Sequence, residues 1–123
     1  MLNLNSILVF SEDPKKLADF YGKVLQKTPD FEDGEYYGFS AGSTFLMLGP
    51  HQKVKGKSSN PERLMINFAT DDVKAEFARI GKLGAETIAE PYQMEGSSGW
   101  IATFADPDGN YFQLMTPWEG ENS

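Results

Sequence analysis

Apolar positions along this chain follow two different periods, and their order occurs twice. Asn5-Ser-Ile-Leu-Val-Phe10 shows little alternation and reads as a strand that is mostly apolar on both faces. Leu17, Phe20, Tyr21, Val24 and Leu25 then recur at helical spacing, while Lys15, Lys16, Asp19 and Lys23 fall mostly on the other side. Asp13 supplies an N-cap and Pro14 takes the first helical position, where a missing N–H costs little. Pro29 and Asp33-Gly34 bracket short strands, and Tyr36-Tyr-Gly-Phe39 with Thr44-Phe-Leu-Met-Leu48 form a hairpin across Ala41-Gly42.

The second half repeats the order. Leu64-Met-Ile-Asn-Phe68 is a strand, and Asp71-Asp72 precedes a helix carrying Val73, Phe77, Ile80 and Leu83 that closes on Gly84. Strands at Glu86 to Glu90, Trp100 to Phe104 and Asn110 to Thr116 follow, the last two joined by a turn at Pro107-Asp108-Gly109. Gly22-Lys23 recurs as Gly81-Lys82 at about the offset that separates the two opening strands, which points to an internal duplication. Between the halves, Pro50 to Glu62 is polar and rich in breakers and lysines, and reads as a solvated loop.

The pattern therefore predicts an α+β fold: one domain over 1–123, built of two βαβββ modules at about 1–49 and 63–118 around a 50–62 linker. Each module has one helix. A single helix covers one face of its sheet, so the other face must close against the partner module or curl into a cup-shaped mixed sheet. Period-two alternation then assigns faces. Leu64, Ile66 and Phe68 lie under a helix, leaving Met65 and Asn67 for the cup; Phe112 and Leu114 likewise leave Tyr111, Gln113 and Met115. The first strand is divided so that Asn5, Ile7 and Val9 face the cup, and in the fourth Phe45 and Met47 do so. A two- or four-residue loop at Pro107-Asp108 pairs Trp100 with Met115 and adds Trp100 to the lining. The inward member of Tyr36 and Tyr37 stays open. The expected ligand-binding set is Asn5, Ile7, Phe45, Met47, Met65, Asn67, Trp100, Tyr111, Gln113 and Met115. Met and aromatic residues would serve equally as a structural interface, whereas amides need hydrogen-bond partners wherever they are buried.

Composition narrows the function classes. A net charge of −7, with 18 acidic against 11 basic residues, argues against binding nucleic acid through its phosphates. No run of about eighteen apolar residues and no signal-like start are present, so a cytoplasmic protein without a membrane partner is the default expectation. Cysteine is absent, excluding disulfides and thiolate metal sites.

Two segments, Ser11-Glu-Asp-Pro-Lys-Lys-Leu-Ala-Asp-Phe-Tyr-Gly-Lys-Val-Leu25 and Phe104-Ala-Asp-Pro-Asp-Gly-Asn-Tyr-Phe-Gln-Leu114, together with the module order, resemble the vicinal oxygen chelate superfamily of glyoxalase I, bleomycin-resistance proteins and extradiol dioxygenases. The resemblance covers nearly the whole chain and implies two βαβββ modules forming a cup, often in a homodimer. Metal-using members place His or Glu at four cup positions, which fall here on Asn5, Met47, Met65 and Gln113. Amides are weak ligands, and thioethers suit soft ions rather than Fe, Mn, Ni or Zn. The only histidine, His51, sits in the linker. The expectation is no metal, no cofactor and no catalytic residue.

Asp106 and Asp108 belong to a turn, where carboxylates commonly bond their own backbone. Glu90, Glu95 and Glu119 have no visible partner to tune them as bases. No phosphate-binding glycine motif and no nucleophilic triad appears. The leading expectation is a small-molecule binding or sequestering protein that takes an aromatic or amphipathic ligand without metal, and the acidic charge suits a cationic one. The alternative is a lyase, isomerase or dioxygenase of the same superfamily, and a third is a cup that serves only as a dimer interface.

Overall fold

The computed structural model describes residues 1–118, so Glu119 lies outside the described residues. The first module comprises β1 (Ser6–Ser11), α1 (Pro14–Leu25), β2 (Phe31–Asp33), β3 (Tyr36–Ala41) and β4 (Thr44–Pro50). The second comprises β5 (Ile66–Ala69), α2 (Val73–Gly81), β6 (Glu86–Gln93), β7 (Trp100–Ala105) and β8 (Tyr111–Met115). They form two four-stranded sheets of the same topology, β1-β4-β3-β2 and β5-β8-β7-β6. In each, the opening strand pairs in parallel with the last, and the remaining pairs are antiparallel. The fold is α+β with one helix per sheet. The chain divides into two compact units, Met1–Lys57 and the part beginning at Ser58.

The duplication extends to how each helix starts. The Ser11 hydroxyl accepts the Asp13 N–H at 3.0 Å, and the Asp13 carboxylate accepts the Lys16 N–H at 3.2 Å. In the second module the Thr70 hydroxyl accepts the Asp72 N–H at 3.2 Å and the Asp72 carboxylate accepts the Ala75 N–H at 3.0 Å. A hydroxyl two residues before an N-cap aspartate thus fixes the strand-to-helix turn in both, each cap being worth roughly 1 kcal/mol. Leu17, Ala18, Tyr21 and Val24 of α1 are buried, as are Phe39, Leu46 and Leu48 of the sheet beneath. Val73 and Ile80 of α2 are buried likewise, and Phe77 stacks on Phe104, which stacks on Phe112, with centroids 5.1 and 5.6 Å apart.

Among the boundaries that differ from the periodic reading, which include β4 reaching Pro50 and β6 reaching Gln93, two have a clear local cause. α2 ends at Gly81 rather than reaching Leu83, because the Leu83 and Gly84 N–H groups bond the Ile80 and Gly81 carbonyls three residues back. That tightening turns Leu83 out, leaving it 41% exposed, while Gly84 supplies the expected left-handed stop at φ +90°. β5 begins at Ile66 rather than Leu64, because a 3-10 turn at Pro61–Arg63 precedes it, and Leu64 is exposed. Among the described residues no helix is long and apolar enough to cross a membrane.

The link from α1 to β2 is tied to β3 by one charge cluster. Lys27 Nζ lies 2.6 Å from Asp30 Oδ2 and donates to the Ser40 carbonyl at 3.0 Å, while the Ser40 N–H donates to Asp30 Oδ2 at 2.8 Å. The hydrogen bond from Lys27, followed by that from the Ser40 N–H, holds the Asp30 carboxyl below its ordinary 3.8. A lowered carboxyl favours the folded state above its unfolded value, and that contribution is lost as pH falls through the folded one. In Lys27→Met the Asp30 titration, followed by carboxyl-carbon NMR, is expected to move upward toward the ordinary value.

Candidate functional site

Residues opposed in a ladder share a face, so strand register decides what each sheet presents away from its helix. In the first sheet Ile7 and Val9 are level with Leu46 and Leu48, and these with Phe39 and Tyr37, forming the face under α1. The opposite, helix-free face carries Leu8 and Phe10, Phe45 and Met47, Tyr36 and Gly38, and Phe31 and Asp33. Tyr36, not Tyr37, therefore stands on the open face. Ile7 does not: the division of the first strand is inverted, because a segment apolar on both faces carries no alternation and takes its parity from β4. Asn5 precedes β1, is exposed, and meets the sheet through its carbonyl, which accepts the Phe45 N–H at 3.1 Å.

The open face of the first sheet is largely aromatic and carries two covered glycines. Gly49 is opposed by Phe10 on one side and, one step beyond the Tyr37–Leu48 pair, by Tyr36 on the other. The Tyr36 ring covers it so closely that a Cβ placed on Gly49 would lie 2.6 Å from the ring Cδ2. Gly38 is covered in the same way, by the Met47 sulfur at 2.6 Å from such a Cβ. Leu8, Phe31, Tyr36 and Phe45 are 48%, 46%, 39% and 37% exposed, so this face leaves substantial apolar area uncovered.

In the second sheet the turn after β7 sets the register. Ala105 pairs with Tyr111, and the Asp106 N–H donates to the Asn110 carbonyl at 2.8 Å, leaving a three-residue loop, Pro107-Asp108-Gly109. Gly109, at φ +80°, donates its N–H to the Asp106 carbonyl at 2.9 Å, the usual way a type I turn ends in a left-handed residue. The buried Asp106 carboxylate organises the loop: Oδ1 accepts the N–H groups of Asp108 at 2.9 Å and Asn110 at 3.0 Å, and Oδ2 accepts Asn110 Nδ2 at 3.0 Å. An odd loop shifts the pairing by one residue from the even loop expected. Ile101 opposes Met115, Thr103 opposes Gln113, and Trp100 moves to the helix face, where Lys74 Nζ of α2 sits 3.9 Å from its ring centroid.

The open face of the second sheet carries Asn67, Tyr111, Gln113 and Met115 as expected from alternation, with Ile101, Thr103, Ala105, Ala89 and Tyr92 beside them. Met65 lies just before β5 and is half-buried. Thr103, which parity reasoning missed because the even loop put Ala102 in its place, is 4% exposed, and its hydroxyl accepts Gln113 Nε2 at 3.0 Å. Among the paired residues of the described strands, the two open faces include no Lys or Arg and two carboxylates, Asp33 and Glu86.

These residues fit a divalent metal poorly. Register moves the early position of β1 on the open face from Asn5 to Ser6, so the donors become a neutral hydroxyl, two thioethers and an amide whose nitrogen is engaged by Thr103. Among the described residues no three His, Cys, Asp or Glu side chains come together.

A family model described as a glyoxalase-like domain matches residues 6–115. The uncharacterized protein YetH of Bacillus subtilis is 24% identical over 120 residues, covering 90% of this chain and 95% of YetH. A glyoxalase/bleomycin resistance protein/dioxygenase family enzyme from Burkholderia phytofirmans superposes with a TM-score of 0.72 at 19% identity, over 94% of this chain and 98% of that one. The fosfomycin resistance protein FosX of Listeria monocytogenes does so with a TM-score of 0.74 at 16% identity, over 100% and 99%.

Replacing Asp106 by Ala removes the acceptor of two backbone N–H donors and one amide in a part-buried turn. A loss of about 2–3 kcal/mol is expected in urea denaturation, since hydrogen bonds to a charged group are worth roughly 1.5–3 kcal/mol. Asp106→Asn, which keeps one acceptor oxygen, is expected to lose less.

Proposed function

Because the chain belongs to the glyoxalase-like domain family, we propose that it is a metal-independent small-molecule binding protein whose helix-free sheet faces, each taken by itself, hold an aromatic or amphipathic ligand. The observation that carries this reading is the Gln113–Thr103 pair. At the last-strand position where metal-using relatives carry a ligand, this chain has a neutral amide anchored by a hydroxyl. The amide is fixed in orientation and turned from metal coordination to hydrogen bonding.

The ligand chemistry follows from what surrounds it. On the same face Tyr92, Tyr111 and Met115 supply stacking and dispersion contact. Gln113 retains a carbonyl oxygen with which to accept an N–H or O–H of the ligand. With Asp33 and Glu86 as the charges among the paired residues of the open faces and no Lys or Arg there, an anion gains no stabilisation, a neutral molecule is not repelled and a cation is favoured. The same reasoning disfavours chemistry that builds negative charge on a substrate, and supports sequestration over catalysis.

A calorimetric and thermal-shift screen of cationic antibiotics and aromatic metabolites, run with and without EDTA, tests the reading. Binding is expected to be indifferent to EDTA. Uniformly absent binding, or stabilisation that requires a divalent ion, defeats it, and about one retained transition ion per chain with measurable turnover would mark an enzyme. Gln113→Leu is expected to weaken a bound ligand by about tenfold, the effect of a lost hydrogen bond near 1.4 kcal/mol, while Gln113→Glu weakens a neutral ligand without creating a metal site.

A further inference from the structure

We propose that Gly38 and Gly49 determine the ligand class of the first sheet: by letting Met47 and Tyr36 lie down on the strands, they make a flat thioether-and-aromatic floor for a planar, conjugated cation. The inference rests on the sequestering reading above and names the shape and charge of what is held.

In a pleated strand a side chain normally stands away from the sheet, so an open face bristles and a flat ring meets it edge-on. Glycine removes that obstacle. Both glycines occupy open-face positions in β3 and β4, and each is overlaid by a neighbour: Tyr36 over Gly49, Met47 over Gly38. Phe10 flanks Gly49 from β1, and Phe31 flanks Gly38 from β2, its Cβ 3.3 Å from where a glycine Cβ would be. The result spans all four strands. The lowered patch lies over the two glycines, with Leu8 and Phe45 standing exposed beside it, and a flat polycyclic ring covers more of that patch than a saturated molecule of equal volume. A ring stacked on tyrosine gains the quadrupolar preference for offset-parallel contact, and positive charge over the ring gains further. Asp33 is the carboxylate on this face, directly opposite Tyr36, and no Lys or Arg stands among the face's paired residues. Charge and shape select the same occupant.

Aromatic covering of a strand glycine also serves sheet stability alone, so the test must separate the two roles. The overlying groups are a half-exposed ring and a flexible thioether, both able to swing outward. Gly49→Ala and Gly38→Ala should therefore fold, with the floor roughened rather than the sheet broken.

The probes are proflavine, a planar cation, and dodecyltrimethylammonium, a saturated one, titrated by calorimetry into the full chain and its variants, with melting temperature recorded for each. Wild type is expected to prefer proflavine, and Gly49→Ala to weaken proflavine by about tenfold while changing the ammonium by less than about twofold, the stacking gain being on the order of 1 kcal/mol. Tyr36→Phe should retain proflavine and Tyr36→Leu should lose it. Equal weakening of both probes, or a lowered melting temperature with unchanged proflavine affinity, overturns the inference and leaves the glycines a purely structural role. Binding of the ammonium without proflavine overturns it while leaving the sequestering reading intact. Failure of both probes together with the broad screen overturns both.

Discussion

One buried carboxylate sets the second sheet. Asp106 gathers the N–H groups of Asp108 and Asn110 and the Asn110 amide around a three-residue loop. Since side chains alternate with a period of two, loop length modulo two decides which half of β7 faces the helix and which faces away. With this loop Phe104 joins the Phe77–Phe112 stack in the core, and Thr103 is brought opposite Gln113. The polar pair at the centre of the open face is thus a consequence of the turn's hydrogen bonds, several residues away.

The two modules reuse one plan while diverging in what they present. Both have the same strand order, and both use a hydroxyl and an aspartate to turn the first strand into its helix. The first sheet's open face has ring and sulfur over glycine; the second's sets an amide–hydroxyl pair among Tyr92, Ile101, Tyr111 and Met115. Duplication fixed the frame, where backbone bonding and helix packing constrain every position, and left the helix-free faces to vary.

Most of the frame was legible in the sequence because it is written in strong periodic or capping signals. Asp13-Pro14 and Asp72 start the helices where expected, and Phe112 and Leu114 lie beneath α2 as alternation requires. Errors arose where local signals are degenerate. Ile7 sits in a segment without alternation, so its face is chosen only by pairing with β4. Pro-Asp-Gly fits both even and odd loops, and what decides between them, and with it the face of Trp100, is a carboxylate reaching four residues along the chain. Tyr36 was undecidable until the two-residue Gly42-Ser43 turn fixed the β3–β4 register. The glycine seats were invisible, since a glycine in a strand does not announce which neighbour will cover it.

One outer strand of each sheet, β2 in the first and β6 in the second, carries a further consequence. β2 is three residues long, and β6 slips register twice, between Thr87 and Ala89 and between Ala89 and Tyr92, with Pro91 inside the second slip. A short strand and a bulged one with a missing N–H make poor templates for adding a strand from another chain. A protein that leaves aromatic area uncovered is exposed to aggregation, and at these two edges a strand from another chain finds little to pair with.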